Sequence, residues 1–503
     1  MTVRIMRALC LCALLVPLFF GPALGGPRSG LEYLKNNVQT RTLGNGINVI
    51  ALNRGYSPTL ALVISFRVGS ADESYRTAGA AHMLEHMLFK GTDVIGTKDY
   101  KKEKKLLDEI EAIGEALDEL KLSSPADRRI PVLEKKLKKL QDDSAKYAVS
   151  SPYDRVYSEI GGVGFNASTS RDMTSYVIEV PSEKLELWAQ IESERLRNPV
   201  FREYYKERNA VMEERLMRYD SKGIEGLVER FIAAAFVAHP YRHPIIGWDS
   251  VIRHMSIRDV RDFFKRYYIP SRMTITVVGK QDVDRTFALI DRYFGRMKAC
   301  CEPPPLKTRE PATAGERRLE YHFNANPYLL IGWNKPSFPS DVNYTCDIIA
   351  GLLSDGRTSR LYRSLVLEKR IAVSVDAWNG FPGSRYDNLF VIAAAPRAPH
   401  TAREVEDAIY EEIVKLAAEV GREEIEKVVS REESSTVLDF QSNKGIARTL
   451  NYYQTIRGDW SGILRHLDEI RLVTPERVKS VIANYFIPEN RTVGVLIDKK
   501  EKK

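Results

Sequence analysis

The sequence predicts an α+β fold in two homologous halves, each a mainly antiparallel sheet packed with helices, with a helical coiled-coil hairpin inserted in the first. Three observations carry this. A capped amphipathic run, Ser256 to Pro270, ends in Tyr-Tyr-Ile-Pro and is followed by β-rich Met273 to Gly279; the same order returns as Thr474 to Pro488, ending Tyr-Phe-Ile-Pro, and Arg491 to Ile497. The two copies align without a gap at an offset of 218 residues. Strand-like and helix-like stretches come in separate runs, which argues against a parallel βαβ wind. Between the first strands and the next lies a charged segment with heptad spacing, which reads as paired helices.

Length and composition set the outer bounds. At 503 residues with 44% apolar content, the chain exceeds one ordinary core and is no disordered polymer. The formal charge of +8 is spread thinly and gathers into no basic arm, so nucleic acid is not expected as a partner. One stretch alone is both long and apolar. Arg4 and Arg7 precede the run Ala8 to Phe20, and small residues close the segment at Ala23 and Gly25, the order of a cleavable export signal over residues 1–25. Export to the periplasm or beyond a bacterial cell follows, with no membrane span left after cleavage, and removal of the two arginines leaves +6.

The first domain is expected over 32–298, with strands at Ile47 to Leu52 and Ala61 to Val68, a helix over Ala78 to Phe89, strands near Gly164 to Ile178, then helices. Its inserted hairpin, 101–150, holds 12 basic and 11 acidic residues. Leu106, Ile110, Ile113, Leu117 and Leu120 make one seam, and Leu133, Leu137 and Leu140 resume it after a turn. A solvated hairpin with only its seam buried is the expectation. A proline-rich linker, 299–316, leads to the second domain, 317–500, with a strand-like run from Arg318 to Trp333 and helices from Cys346. Cys300 and Cys301 are adjacent and Cys346 distant, so at most one bridge is open to them.

The residues able to do chemistry begin at His82-Met-Leu-Glu-His86 in an apolar helical stretch. Positions four apart on a helix differ by about 40° around its axis, so both imidazoles can reach one metal ion. Glu85 falls on the same side, placed to take a proton from water that zinc has acidified. A zinc hydrolase needs a third protein ligand, and periodicity nominates several glutamates without choosing one.

The block Gly79 to Thr92, which contains His82, Glu85, His86, Phe89 and Lys90, resembles the signature of the inverted-zincin peptidases, the family of pitrilysin, insulin-degrading enzyme and the mitochondrial processing peptidase. Gly161 to Arg171 and Glu207 to Glu214 resemble two further family blocks. The resemblance implies a zinc-dependent endopeptidase acting on peptides or unfolded segments, with one Zn2+ per chain on His82, His86 and Glu214. Glu85 is then the general base and Glu207 a catalytic support behind the ligands. Glu213, the rival ligand, does not keep the seven-residue spacing from Glu207. Phe165, Asn166 and Ala167 match the edge strand on which an extended substrate is added by β-pairing.

Two departures stand out. The 127 residues between His86 and Glu214 exceed the family's usual spacing by about fifty, a surplus the hairpin accounts for. In the second half, Val366 and Val373 occupy the positions of an Arg and a Tyr that in self-sufficient members hold the substrate and polarise its carbonyl; Arg360 and Tyr362 are near but wrongly spaced. The expectation is a processing-peptidase-like catalytic subunit completed by a homologous partner or a second copy, with the substrate lying between two facing halves. The alternative is a non-catalytic scaffold of the same fold.

Overall fold

The computed structural model describes residues 26–55 and 57–499. The expected export signal and residue 500 lie outside them. Among the described residues, no helix is long and apolar enough to cross a membrane.

The first half opens with α1 (Gly26–Asn37), β1 (Gln39–Thr42), β2 (Asn48–Asn53) and β3 (Thr59–Phe66). Helices α2 (Ala80–Met87), α3 (Tyr100–Ser123), α4 (Ile130–Ala145) and α5 (Pro152–Glu159) precede β4 (Val163–Thr169) and β5 (Thr174–Pro181). Then come α6 (Leu185–Arg197), α7 (Tyr204–Arg215), α8 (Gly223–Ala235), α9 (Asp249–Ile252), α10 (Ile257–Tyr267), β6 (Met273–Gly279) and α11 (Val283–Phe294). The second half runs β7 (Arg317–Phe323), β8 (Tyr328–Lys335), α12 (Asp341–Ser354), β9 (Ala372–Phe381) and β10 (Asn388–Pro396). It ends with α13 (Ala402–Glu419), α14 (Arg422–Asp439), α15 (Asn443–Arg457), α16 (Gly462–Arg471), α17 (Pro475–Tyr485) and β11 (Arg491–Asp498).

The sheets are ordered β1-β2-β6-β3-β5-β4 and β7-β11-β8-β10-β9. Apart from β1, one order is the other strand for strand. The duplicated run explains why: β6 and β11 fill the same slot, each parallel to one neighbour and antiparallel to the other. Their preceding helices start at the same kind of cap, Ser256 accepting from Asp259 N–H and Thr474 from Arg477 N–H. Three differences from the expected elements have local causes. The helix at the motif begins at Ala80, because Gly79 sits at φ 98°, outside helical space. The run Arg318 to Trp333 is two strands, β7 and β8, broken by Asn324-Ala-Asn-Pro327. Cys346 is buried in the second core while Cys300 and Cys301 are exposed, and all three are free.

Both faces of the inner strands β3, β6, β8 and β10 are covered, which makes them nearly continuous apolar runs. Along β3, Leu60, Leu62, Ile64 and Phe66 face the first core, and Ala61 and Val63 face the opposite side. What covers that opposite side comes from the other half: Ile446, Ala447 and Leu450 of α15. The reciprocal holds for α8, whose Leu227, Phe231, Ile232 and Ala235 pack on Leu330, Leu389, Val391 and Leu496 of the second sheet. Gly332 makes room for this, since a Cβ there would lie 2.7 Å from the Phe231 ring. The halves are therefore interlocked by exchanged helices and do not face each other across a chamber. That part of the expectation is corrected: separating them would expose an apolar face on each sheet, at about 25 cal/mol per Å².

The expected hairpin is present as α3 and α4, and it is an addition to the first half. Seventy-five residues separate α2 from β4, against 17 between their counterparts α12 and β9. It is not the solvated hairpin expected, because it lies on the body. Ile110, Leu117, Leu137 and Leu140 belong to the first core, and Gly114 lets the Tyr205 hydroxyl approach where a Cβ would collide with it. Four ion pairs fasten it: Arg202 to Glu103, both buried, Arg208 to Asp118, Arg261 to Glu111, and Arg258 to Glu115.

Candidate metal centre

Helix α2 is held by its N-terminus. The buried Glu73 carboxylate accepts from Gly79 N–H and Ala81 N–H, both at 2.8 Å, satisfying two of the donors a helix start leaves open. The turn at Gly79 is closely packed, since a Cβ there would lie 2.6 Å from the Ile246 carbonyl oxygen. The His82 and His86 rings then meet edge to face on one side of the helix, with centroids 4.7 Å apart.

Helix α7 supplies the third group. Seven residues are just under two helical turns, so Glu207 and Glu214 share a face. Glu214 Oε2 lies 3.5 Å from His86 Nε2 and 3.8 Å from His82 Nε2. His82, His86 and Glu214 offer donor atoms all within 4.8 Å of one another, the one such cluster among the described residues. Zinc bonds of about 2.0–2.2 Å at tetrahedral angles set ligand atoms about 3.4 Å apart, so the donor set fits that ion. Glu213 is exposed and is not part of that cluster.

Glu207 stands behind His86, with Oε1 2.9 Å from Nδ1. A ligating imidazole needs such a partner to fix its tautomer and ring plane. Burial raises the Glu207 carboxyl, but the bonds from His86 and Lys90 outweigh it and hold the group at about 2. Burial lowers His86 and is likewise outweighed, by Glu207 and Glu214, which push it up to about 9. His82 is lowered to about 4, by burial first and then by His86. Its Nδ1 is buried and finds no acceptor among the described residues, so the two histidines of the cluster are held unequally.

Glu85 is half-buried beside them, and burial raises its carboxyl above the ordinary range. Thr169 Oγ1 donates to its Oε2, leaving the other oxygen towards the cleft. Thr169 ends β4, the free edge of the first sheet, and so ties that edge to the carboxylate. Within β4, Gly164 at φ 67° makes a bulge between Val163 and Asn166. The Phe165 ring packs against Phe89 and Tyr157, so it anchors the strand and has only its backbone for a ligand. Asn166 and Ala167 lie on the open edge, the Asn166 side chain accepting from Ala167 N–H at 2.9 Å. A cleft of about 310 Å³ joins Glu85, His86, Asn166 and Glu207 to residues 149–154 at the end of the hairpin.

Sequence reasoning missed four neighbours: Glu73 at the helix start, Thr169 on Glu85, Lys90 on Glu207, and Arg218, whose Nη1 lies 3.0 Å from Glu214 Oε1. Lys90 and Thr169 fall inside the motif blocks, yet only the fold reveals what they touch. In the second half, Val373 is 57% exposed on β9, and Arg360 is bound at two points by Glu424, so it is not free to serve the site.

Comparison with known proteins places the chain in a family. The model described as Insulinase (Peptidase family M16) matches residues 48–124 and 140–248, and that described as Peptidase M16 inactive domain matches 254–432. The chain is 25% identical over 483 residues to the zinc protease PqqE of Helicobacter pylori, covering 94% of this chain and 95% of that one. The structure of a protease from Helicobacter pylori superposes with a TM-score of 0.76 at 23% identity, over 91% of this chain and 99% of that one. The periplasmic protease PqqL of Escherichia coli superposes with a TM-score of 0.68 at 15% identity, over 92% of this chain but 48% of that longer one.

Proposed function

We infer the function of this chain from one premise: it belongs to peptidase family M16. The reading is a zinc-dependent endopeptidase that hydrolyses peptides or unfolded polypeptide segments. The observation that carries it is the donor set of His82, His86 and Glu214 with Glu85 alongside, beneath the free edge of β4.

Zinc, when bound, lowers the pKa of a coordinated water towards about 7 and polarises a carbonyl oxygen. The chain's own groups do the rest. An extended substrate pairs with β4 at Asn166 and Ala167, which aligns its carbonyl with the metal position. Glu85 takes the water's proton on the oxygen that Thr169 leaves free and returns it to the departing amine. Glu207 fixes the His86 ring.

Completion of the site by a partner of the same fold is part of the reading. Val366 and Val373 cannot donate a hydrogen bond to the developing oxyanion, a loss of about 3 kcal/mol for one missing donor. The interlocked halves leave no facing wall within the chain, whereas PqqL is about twice as long and has room for two such units. A homologous chain or a second copy would supply the wall, the Arg and the Tyr. Export fits the periplasmic location in that relative's description.

The test is zinc content and cleavage of a quenched peptide by the mature chain, alone and with any co-purifying homologous chain. Stoichiometric zinc and cleavage that Glu85→Gln lowers by about 10²–10⁴-fold are expected. Zinc without cleavage in either setting would leave the scaffold reading standing.

A further inference from the structure

A second cleft lies away from the metal centre. It has about 880 Å³, near the top of the range of about 300–1,000 Å³ for ligand clefts, and lies between the hairpin and the body. Leu107 and Ala145 of the hairpin line one side; Val200, Phe201, Ile257 and Phe264 line the other. Leu107, Val200 and Phe264 are only half-buried, so they offer an apolar floor. Lys138, Asp142 and Lys265 stand on its rim, exposed and in no ion pair of the described residues.

The cleft and the catalytic pocket share two residues, Glu203 and Lys206, at the N-terminal end of α7. That helix measures the distance between them. Glu203 caps the start of α7 and Glu214 lies eleven positions on, which at about 1.5 Å per residue is about 16 Å. An extended chain rising about 3.3 Å per residue covers this in about five residues.

We propose that the cleft under the hairpin is a second polypeptide-binding subsite, continuous with the catalytic pocket, that takes an extended substrate segment about five residues from the bond that is cut. The segment it fits has an apolar side chain for the Leu107 and Phe264 floor and polar neighbours of either sign for the rim. Its continuity with the pocket argues for the substrate as occupant. The hairpin is fastened to the body both by ion pairs and by its core residues, which holds this wall of the cleft in place. The hairpin absent from the second half thereby acquires a role, as the outer wall of a longer substrate track.

The proposal rests on the peptidase reading, and its test separates the two. Two labelled peptides of one sequence, of about six and about twelve residues, reach the pocket alone or the pocket and the cleft. Anisotropy on the mature Glu85→Gln chain reads binding; the parent chain reads turnover. The longer peptide is expected to bind about tenfold tighter, and Ala145→Trp, which sets an indole in the cleft from an exposed position, should bring the ratio to about one. Leu107→Asp should do the same. Equal affinities, or a ratio that neither variant moves, overturns the subsite. If neither peptide is cleaved but the ratio and its loss are observed, the subsite stands and the peptidase reading falls. Variants that disrupt association with another chain while leaving the ratio intact make the cleft a subunit interface and overturn the proposal.

Discussion

The two halves of this chain are one fold used twice, and the contrast between α7 and α14 isolates what separates a fold from a site. The offset of 218 residues carries Tyr204 to Arg422, the first residues of the two helices, and carries Glu214 to Glu432. The two glutamates occupy equivalent places and titrate in opposite directions. The His86 bond lowers Glu214. Burial raises Glu432, and Asp347 on α12 and Asp355 beyond it add to the rise. The same backbone thus offers a donor set that a cation would fit where its neighbours are imidazoles, and a repulsive cluster where they are carboxylates. Glu207 falls on Ile425, which is buried in the second core, so the support behind the ligand is lost as well.

The strongest way to break this comparison is to mutate each glutamate and weigh the metal. Glu214→Gln should abolish tight zinc binding, a larger loss than the roughly 10–100-fold expected from an outer partner. Glu432→Gln should leave zinc content unchanged. Zinc retained by Glu214→Gln, read by elemental analysis after dialysis, would show that another group completes the site. Next in size is Glu207→Gln, which should cost about 10–100-fold in affinity or turnover, because His86 keeps its Nε2 but loses the acceptor that orients it.

How much of this could be read from residues alone follows the same division. The continuous apolar run of β3 and the caps at Ser256 and Thr474 are local, so strands and helices were legible, and the duplication announced two similar sheets. His82, Glu85 and His86 were legible because helical spacing puts them on one face. Choosing Glu214 over Glu213 needed the family resemblance, since spacing alone left both open. The exchange of α8 and α15 was not legible: the apolar face of α8 states that Leu227, Phe231 and Ile232 are buried, not against which sheet. Nor was the attachment of the hairpin, because Glu103 and Arg202 are 99 residues apart and nothing local links them.

A subtler contrast is in protons. His82 sits at about 4 and is already neutral at pH 7, whereas His86 sits at about 9 and carries a proton there that a metal must displace from Nε2. Metal uptake at pH 7 should therefore release about one proton from His86, and affinity should climb about tenfold per pH unit until pH approaches 9. Calorimetry in buffers of different ionisation enthalpy reads the count. In the metal-free chain the sign is fixed by the raised value: the stabilisation His86 gains from Glu207 and Glu214 is full below about 6.5 and is lost as pH rises through about 9. Glu207→Gln should flatten that loss, and no equivalent feature should arise from α14.

The smallest expected effect lies at Glu432. A carboxyl whose folded pKa is raised binds its proton more tightly in the folded chain than in the unfolded one, so it costs stability once both states are ionised. The cost should be present at pH 7 and should vanish as pH falls below the ordinary carboxylate range near 4.5. Glu432→Gln removes the charge while keeping the shape, so it should raise the Tm of the metal-free chain at pH 7 by about 1–2 °C and by nothing at pH 4. Glu214→Gln should do the reverse in the same metal-free chain, lowering Tm at pH 7, because the bond from His86 stabilises its carboxylate. Equal shifts from the two substitutions would mean that Asp347 and Asp355 do not act on Glu432. The contrast between the halves would then rest on the histidines alone.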